Sequence, residues 1–304
     1  MPLPSTGRAA THTARGILLM LVAVLFFTTM DAVAKGLVGG YPVFQVIFFR
    51  FAGQILLVLL ILRGATGPAL RTRFGGLHLA RAVLQFGTVT LFFASLTYIG
   101  LAEAQALTDI NPVLITLGAA LFLGERLGRD RLLGVGLAMI GAMIVIRPGS
   151  GVLTLPALLP IGAAICYAGS AVITRRVGPF ETPWTSMLYT AGFGMLASGV
   201  TLPFLWVDIP AADLWRFAAL GVLGTVAQLC IIRSFSVAEA AAVAPFAYAG
   251  ILFAIGWGIV LYGDYPDPAT LLGALVIVSA GLYVWQRETR AAGIGAVRRT
   301  RQNE

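Results

Sequence analysis

The stretch Gly16-Ile-Leu-Leu-Met-Leu-Val-Ala-Val-Leu-Phe-Phe-Thr-Thr-Met30, continuing as Asp31-Ala-Val-Ala-Lys35-Gly36, decides the fold. It carries no charge before Asp31. At about 1.5 Å of helix per residue it is long enough to cross a hydrocarbon core about 30 Å thick. Arg8 and Arg15 precede the run, and Ala32-Val33-Ala34 imitates a signal cleavage site. The signal reading fails, because the apolar run is too long for a signal core, Asp31 sits beside the supposed site, and the end of the run recurs later in the chain.

Apolar runs of the same kind occupy about 42–62, 76–98, 102–123, 131–147, 155–175, 183–206, 214–234, 238–262 and 268–286. Over the whole chain 58% of residues are apolar and 11% charged, where a soluble domain carries about a quarter charged residues. A water-soluble fold cannot hide that much apolar surface, so the bilayer is the expected solvent. The reading is an all-α membrane protein of ten transmembrane helices with short connections and no room for a soluble catalytic domain.

Orientation follows from the basic residues, which favour cytoplasmic connections in bacterial-type inner membrane proteins. With the N-terminus inside, the 21 Lys and Arg residues collect on the inner side except Lys35, Arg147 and Arg216 at the outer side and Arg50 within the membrane. Both termini are therefore expected in the cytoplasm. The net charge of +8 sits between apolar segments, without the basic face and reading residues that nucleic-acid binding needs.

The chain also repeats itself. A shift of 139 residues lays Asp31-Ala-Val-Ala-Lys-Gly-Leu-Val-Gly39 on Ser170-Ala-Val-Ile-Thr-Arg-Arg-Val-Gly178, and carries Ala52-Gly53, Gly124-Glu125 and Leu132-Leu-Gly134 onto Ala191-Gly192, Gly263-Asp264 and Leu271-Leu-Gly273. Gly87-Thr-Val89 and Gly224-Thr-Val226 pair at 137, and Ala102-Glu-Ala104 and Ala238-Glu-Ala240 at 136. The order and near-constant offset of these matches mark a duplication. An odd number of spans per half turns the second half upside down, giving two inverted five-helix repeats with a substrate site between them near mid-membrane. The expected divisions are a tail at 1–15, repeats at 16–148 and 149–287, and a basic tail at 288–304.

The stretch Ala94-Ser-Leu-Thr-Tyr-Ile-Gly-Leu-Ala-Glu-Ala-Gln-Ala-Leu-Thr-Asp-Ile-Asn-Pro112, with Leu123-Gly-Glu-Arg126, Gly141 and Arg147-Pro-Gly149, resembles the EamA repeat of the drug/metabolite transporter superfamily. Ile232-Arg-Ser-Phe235, Ala244-Pro-Phe-Ala-Tyr248, Tyr262-Gly-Asp264 and Gly273 to Tyr283 resemble the closing half of the same family. The resemblance covers about residues 16–287. It implies a carrier of small polar or amphipathic metabolites with a cavity lined by both halves, and it is nearest the branch that takes up riboflavin and S-adenosylmethionine. Export or exchange of amino acids and related metabolites is the alternative, and a non-transporting scaffold the reading of another class. In this sequence the second-half acid is Asp264 rather than Glu, and Pro245 stands farther upstream.

Charges within a bilayer cost at least about 2.5 to 3.5 kcal/mol each and often mark a pathway. Arg50 lies roughly 12 Å below the outer surface, Asp109 at a similar depth, and Asp31 in the outer third of its span. Arg50 is expected to pair with Asp31 or Asp109, either as a lock between helices or as a pattern that substrate or protons disturb. Asp31 with Lys35, four residues apart on one helix face, is a second possibility.

Thr108 and Asn111 stand before Pro112, and Tyr248 follows Pro245, so Pro112 and Pro245 are candidate hinges or static kinks. Gln85 and Gln228 offer amides from pseudo-symmetric positions. Tyr98, Tyr189, Tyr248 and Trp257 offer rings for stacking, or simply pack. Glu125 and Asp264 read as boundary or gating contacts, and Glu103 and Glu239 as dipole partners at helix starts. The small residues Gly134, Ala138 and Ala142 permit close helix approach, within the chain or in a homodimer.

No enzymatic constellation stands beside these. His12 and His78 are the two histidines, and neither a His-Glu-x-x-His pattern nor a Walker-type lysine motif occurs. No metal, cofactor or ATP drive is expected. Cys166 and Cys230 fall in apolar segments and read as structural.

Overall fold

A computed structural model of the chain describes residues 6–64, 66–123, 129–146, 155–177, 180–238 and 243–302. Its principal helices are α1 (Thr6–Val38), α2 (Val43–Leu62), α3 (Gly75–Ser95), α4 (Leu101–Thr108), α5 (Asn111–Leu123), α6 (Arg129–Ile146), α7 (Leu155–Val177), α8 (Pro183–Gly199), α9 (Leu214–Val237), α10 (Ala249–Trp257) and α11 (Pro268–Gln302). There is no strand among the described residues.

Six stretches are long and apolar enough to cross a membrane: Thr13–Val38, Val43–Leu62, Gly75–Ser95, Leu158–Val177, Leu214–Val237 and Pro245–Tyr262. Leu132–Val145 and Pro268–Tyr283 are shorter apolar helices. Their outward faces expose large side chains such as Leu18, Leu60, Leu137, Ile140, Leu252 and Leu275. In water such a surface would drive aggregation. In lipid it is the solvated face, and helices are the form that satisfies every backbone polar group internally.

Two expected spans are interrupted. The run expected at 102–123 ends as α4 at Thr108 and resumes as α5 at Asn111, because the Pro112 ring has no N–H to give and clashes with the carbonyl four residues back. Of the run expected at 238–262, Ala238 ends α9 in an extended conformation, and the next described residue is Val243. The rest opens as a 3-10 turn over Ala244–Tyr248 holding Pro245, continues as α10 and closes as a π turn over Gly258–Tyr262. Gly263 then stops it at φ 65°, a left-handed conformation that glycine adopts without strain. At the termini, α1 begins ahead of the expected tail boundary, and α11 runs through the basic segment expected as a tail.

Each major pairing joins an early helix to a late one: α1 packs on α9, α2 on α8, α3 on α7 and α6 on α11. A Cβ added at Gly53 of α2 would lie 2.7 Å from the Gly221 Cα of α9, and one at Gly141 of α6 would lie 2.9 Å from the Gly273 carbonyl of α11. These backbones touch directly, the arrangement small residues permit in lipid. Ala138 and Ala142 are buried within the chain with Ala274 and Ile277 of α11. A block of Met30, Leu37, Ile47, Phe51, Phe93 and Phe217 forms the main apolar core.

Candidate functional site: a polar cavity between early and late helices

A cavity of about 380 Å³ lies between the early and late helices. Arg50, Phe51 and Gln54 of α2 and Arg81 and Gln85 of α3 form one wall. Tyr167, Ser170, Thr174 and Arg175 of α7, Thr190 of α8 and Gln228 and Phe235 of α9 form the other. The cavity reaches the end of the bundle where Arg175 and Phe235 are exposed.

Its polar groups are held in place. The Arg81 Nε donates to Thr174 Oγ1 at 2.7 Å, and its Nη1 donates to Thr190 Oγ1 at 2.8 Å and to the Ser186 carbonyl at 3.1 Å. One guanidinium thus ties α3 to both α7 and α8. Ser170 Oγ donates to Gln85 Oε1 at 3.1 Å. Arg50 Nε donates to the Met30 thioether at 3.3 Å, and its guanidinium lies 5.1 Å from the Phe51 ring centre and 5.7 Å from that of Phe93. Arg50 Nη1 is buried with no hydrogen-bond partner. Gly224 makes room for this arrangement, since a Cβ there would come within 2.9 Å of Met30 Sδ and 3.9 Å of Arg50 Nε.

The expected ion pairs are not the ones formed. Asp31 lies within electrostatic reach of Arg50, yet no ion pair joins them among the described residues. Asp109 caps the broken end of α4 instead and accepts from Gln105 Nε2 at 2.7 Å. Its Oδ2, Asn111 Oδ1 and the Tyr248 hydroxyl are buried without partners, and Tyr248 feels the Asp109 charge. Asp109 and Tyr248 therefore lie within electrostatic reach of each other where the two interrupted spans meet, with Asn111 two residues beyond Asp109, and none of the three is in the cavity lining. Lys35 pairs with Asp264, which lies in the non-helical stretch that begins at Gly263.

That last pair belongs to a latch at the end opposite the cavity mouth. Lys35 Nζ lies 2.6 Å from Asp264 Oδ2 and donates to the Ile99 carbonyl at 3.2 Å. The Tyr262 hydroxyl donates to the Ala32 carbonyl. Gln45 clasps Val207 twice, its Nε2 donating to the carbonyl at 2.7 Å and its Oε1 accepting from the backbone N–H at 3.0 Å. Tyr41 donates to Asp213 at 2.7 Å, and that bond holds its phenol above the ordinary tyrosine range.

Of the residues singled out in the sequence, Arg50, Gln85 and Gln228 line the cavity. Tyr189 does not, as its ring packs 5.2 Å from that of His78. Tyr98 is 68% exposed near the latch, and Trp257 packs against the main core. Glu125 and Glu239 lie outside the described residues. Arg81 was legible only as a basic residue near the inner side, although its position five residues inside a span sets it apart. Gln54, Thr174 and Thr190 carried no local signal. Cys166 and Cys230 are free thiols, and the described residues hold no cluster of metal-ligating side chains.

The model of the EamA-like transporter family matches residues 14–147 and again 154–285. The chain belongs to the EamA-like transporter family. It is 31% identical over 270 residues to the pseudopaline exporter CntI of Pseudomonas aeruginosa strain UCBPP-PA14, covering 87% of this chain and 94% of the exporter. It is also 31% identical over 284 residues to a riboflavin transporter of Rhizobium johnstonii, covering 90% and 92% of the two chains. A solved crystal structure aligns with a TM-score of 0.65 over 91% of this chain and 99% of its own, and its 18% identity speaks to fold alone. An EamA-like chain with these helices is a multi-pass membrane transporter and not an enzyme.

Proposed function

We propose that this EamA-like chain is a secondary transporter that moves a small polar or amphipathic metabolite by alternating access, without ATP. The observation that carries the reading is the cavity itself, walled by early and late helices, with a mouth at one end and a latch of polar contacts at the other. A binding chamber reachable from one side at a time is what alternating access requires. The exchange of helix partners, α1 with α9 against α3 with α7, supports two inverted five-helix repeats at 16–148 and 149–287 and ten spans in all. The distribution of arginines supports a mouth on the cytoplasmic side of an inner membrane.

Riboflavin uptake is one candidate activity, supported by the relative of that name. Export or exchange of amino-acid-like metabolites is the second. It is favoured by a lining rich in amide, hydroxyl and guanidinium groups and by the placement of Tyr98, Tyr189 and Trp257 away from the cavity. Counterflow of labelled solutes into proteoliposomes tests the carrier reading. Uptake driven by trapped unlabelled solute supports it, and leakage no faster than through protein-free vesicles for every solute tried makes the chain a scaffold.

A further inference from the structure

The cavity is uneven in charge. Arg50, Arg81 and Arg175 line it, and among its described lining residues there is neither Asp nor Glu. Two of these guanidiniums hold unused donors: Arg50 Nη1 is buried and unpartnered, while the protein bonds of Arg81 engage Nε and Nη1 and leave Nη2 open. Asp31 tempers the field at Arg50 without satisfying its hydrogen-bonding capacity.

We propose that the solute is an organic anion, seated by a carboxylate or phosphate oxyanion against the Arg50 and Arg81 guanidiniums. The proposal deepens the transporter reading and rests on it. A guanidinium presents parallel N–H donors that match the oxygens of either group, and such charge-assisted pairs are shorter and stronger than neutral ones. Arg81 is pre-set for this task, because Thr174, Thr190 and the Ser186 carbonyl fix its plane before any ligand arrives. Exposed Arg175 at the mouth draws anions inward. Gln54, Gln85 and Gln228 then remain for the uncharged part of the solute. A neutral solute can answer the Arg50 donor through a carbonyl or hydroxyl but leaves the excess guanidinium charge of the lining uncompensated inside the membrane, and a cationic solute adds to it. The volume of about 380 Å³ sits low in the range of about 300–1,000 Å³ for ligand pockets, so the anion is compact.

The test uses the purified full chain in detergent, with thermal unfolding followed against succinate, citrate and glucose 6-phosphate, and against succinamide, glucose, riboflavin and 1,4-diaminobutane. The expected result is a saturable rise in Tm with at least one anion, and apparent affinity at least about ten-fold weaker for its uncharged partner. The carboxylates and the sugar phosphate distinguish the two oxyanions. Arg50→Gln and Arg81→Gln each weaken binding by about ten-fold or more, and Arg50→Lys, which keeps charge without the fork, falls between. Equal stabilisation by neutral partners, or none by any anion, overturns the proposal with wild-type protein alone. Counterflow separates it from the transporter reading. Saturable, arginine-dependent anion binding without counterflow sustains the anion site and removes the carrier. Counterflow of riboflavin or 1,4-diaminobutane that no anion inhibits keeps the carrier and removes the anion site.

Discussion

Lys35 of α1 and Asp264, 229 residues apart in sequence, meet across 2.6 Å at the end of the bundle opposite the cavity mouth. Nothing local in the sequence joins them, and they bridge α1 to the turn that follows Tyr262. Partly exposed ion pairs contribute about 0.2–1 kcal/mol, which is small for folding yet enough to shift two conformers of similar free energy by up to about five-fold. Asp264→Asn is therefore expected to leave Tm nearly unchanged and to raise labelling of a cysteine placed beneath the latch from that side. Exchange of the charges, Lys35→Asp with Asp264→Lys, restores the closed end. Unchanged labelling in Asp264→Asn would show that the pair does not hold this end shut.

The contact of α2 with α9 makes a second, sharper prediction. Gly53→Ala places a Cβ 2.7 Å from the Gly221 Cα, and backbone cannot yield as a side-chain tip does. The expected cost is about 1–3 kcal/mol, read as a fall in Tm in detergent. Gly256→Ala is the matched control, since nothing lies within 4 Å of its new Cβ. Alanine suits a helix better than glycine by roughly 0.5–1 kcal/mol, so the control holds or raises Tm.

Most of the fold was legible because the bilayer imposes a length and a composition that few other solvents do. Pro112 and Pro245 marked the interrupted spans because a missing N–H has a local consequence. Partner choice was not legible. The spacing of Asp31 and Lys35 suggested a bond along one helix, whereas Asp264 offers a carboxylate at the bundle end, and that proximity exists only once α1 and α10 pack. Depth estimates put Asp109 level with Arg50 but could not tell which face of the helix it used. The break after Thr108 turns it toward Gln105 and Tyr248 instead. Arg81 was hidden in the count of basic residues, because its role depends on Thr174 and Thr190, which arrive from α7 and α8.

The place where the interrupted spans meet can be probed through Gly281 of α11. A Cβ there would overlap the Tyr248 hydroxyl, so Gly281→Ala is expected to lower Tm clearly. Tyr248→Phe removes a buried hydroxyl that has no partner, and relief of an unsatisfied group of this kind is worth about 1–3 kcal/mol. That variant alone holds or raises Tm. Residues in contact are not additive, and the double variant recovers part of the loss seen in Gly281→Ala. Strict additivity would mean that the hydroxyl does not face Gly281.

Access from the two sides follows from the same geometry. In a background with Cys166→Ser and Cys230→Ser, a cysteine at Gln228 faces the cavity, and one at Tyr98 lies exposed near the latch. With the cavity mouth at the end that carries Arg175, a membrane-impermeant thiol reagent labels Gln228→Cys from that side and Tyr98→Cys from the opposite side. In right-side-out and inverted vesicles the two patterns must therefore be mirror images. Labelling of both positions from one side would mean that the Gln228 pocket and the Tyr98 turn share a compartment, which is incompatible with a chamber latched at one end and open at the other.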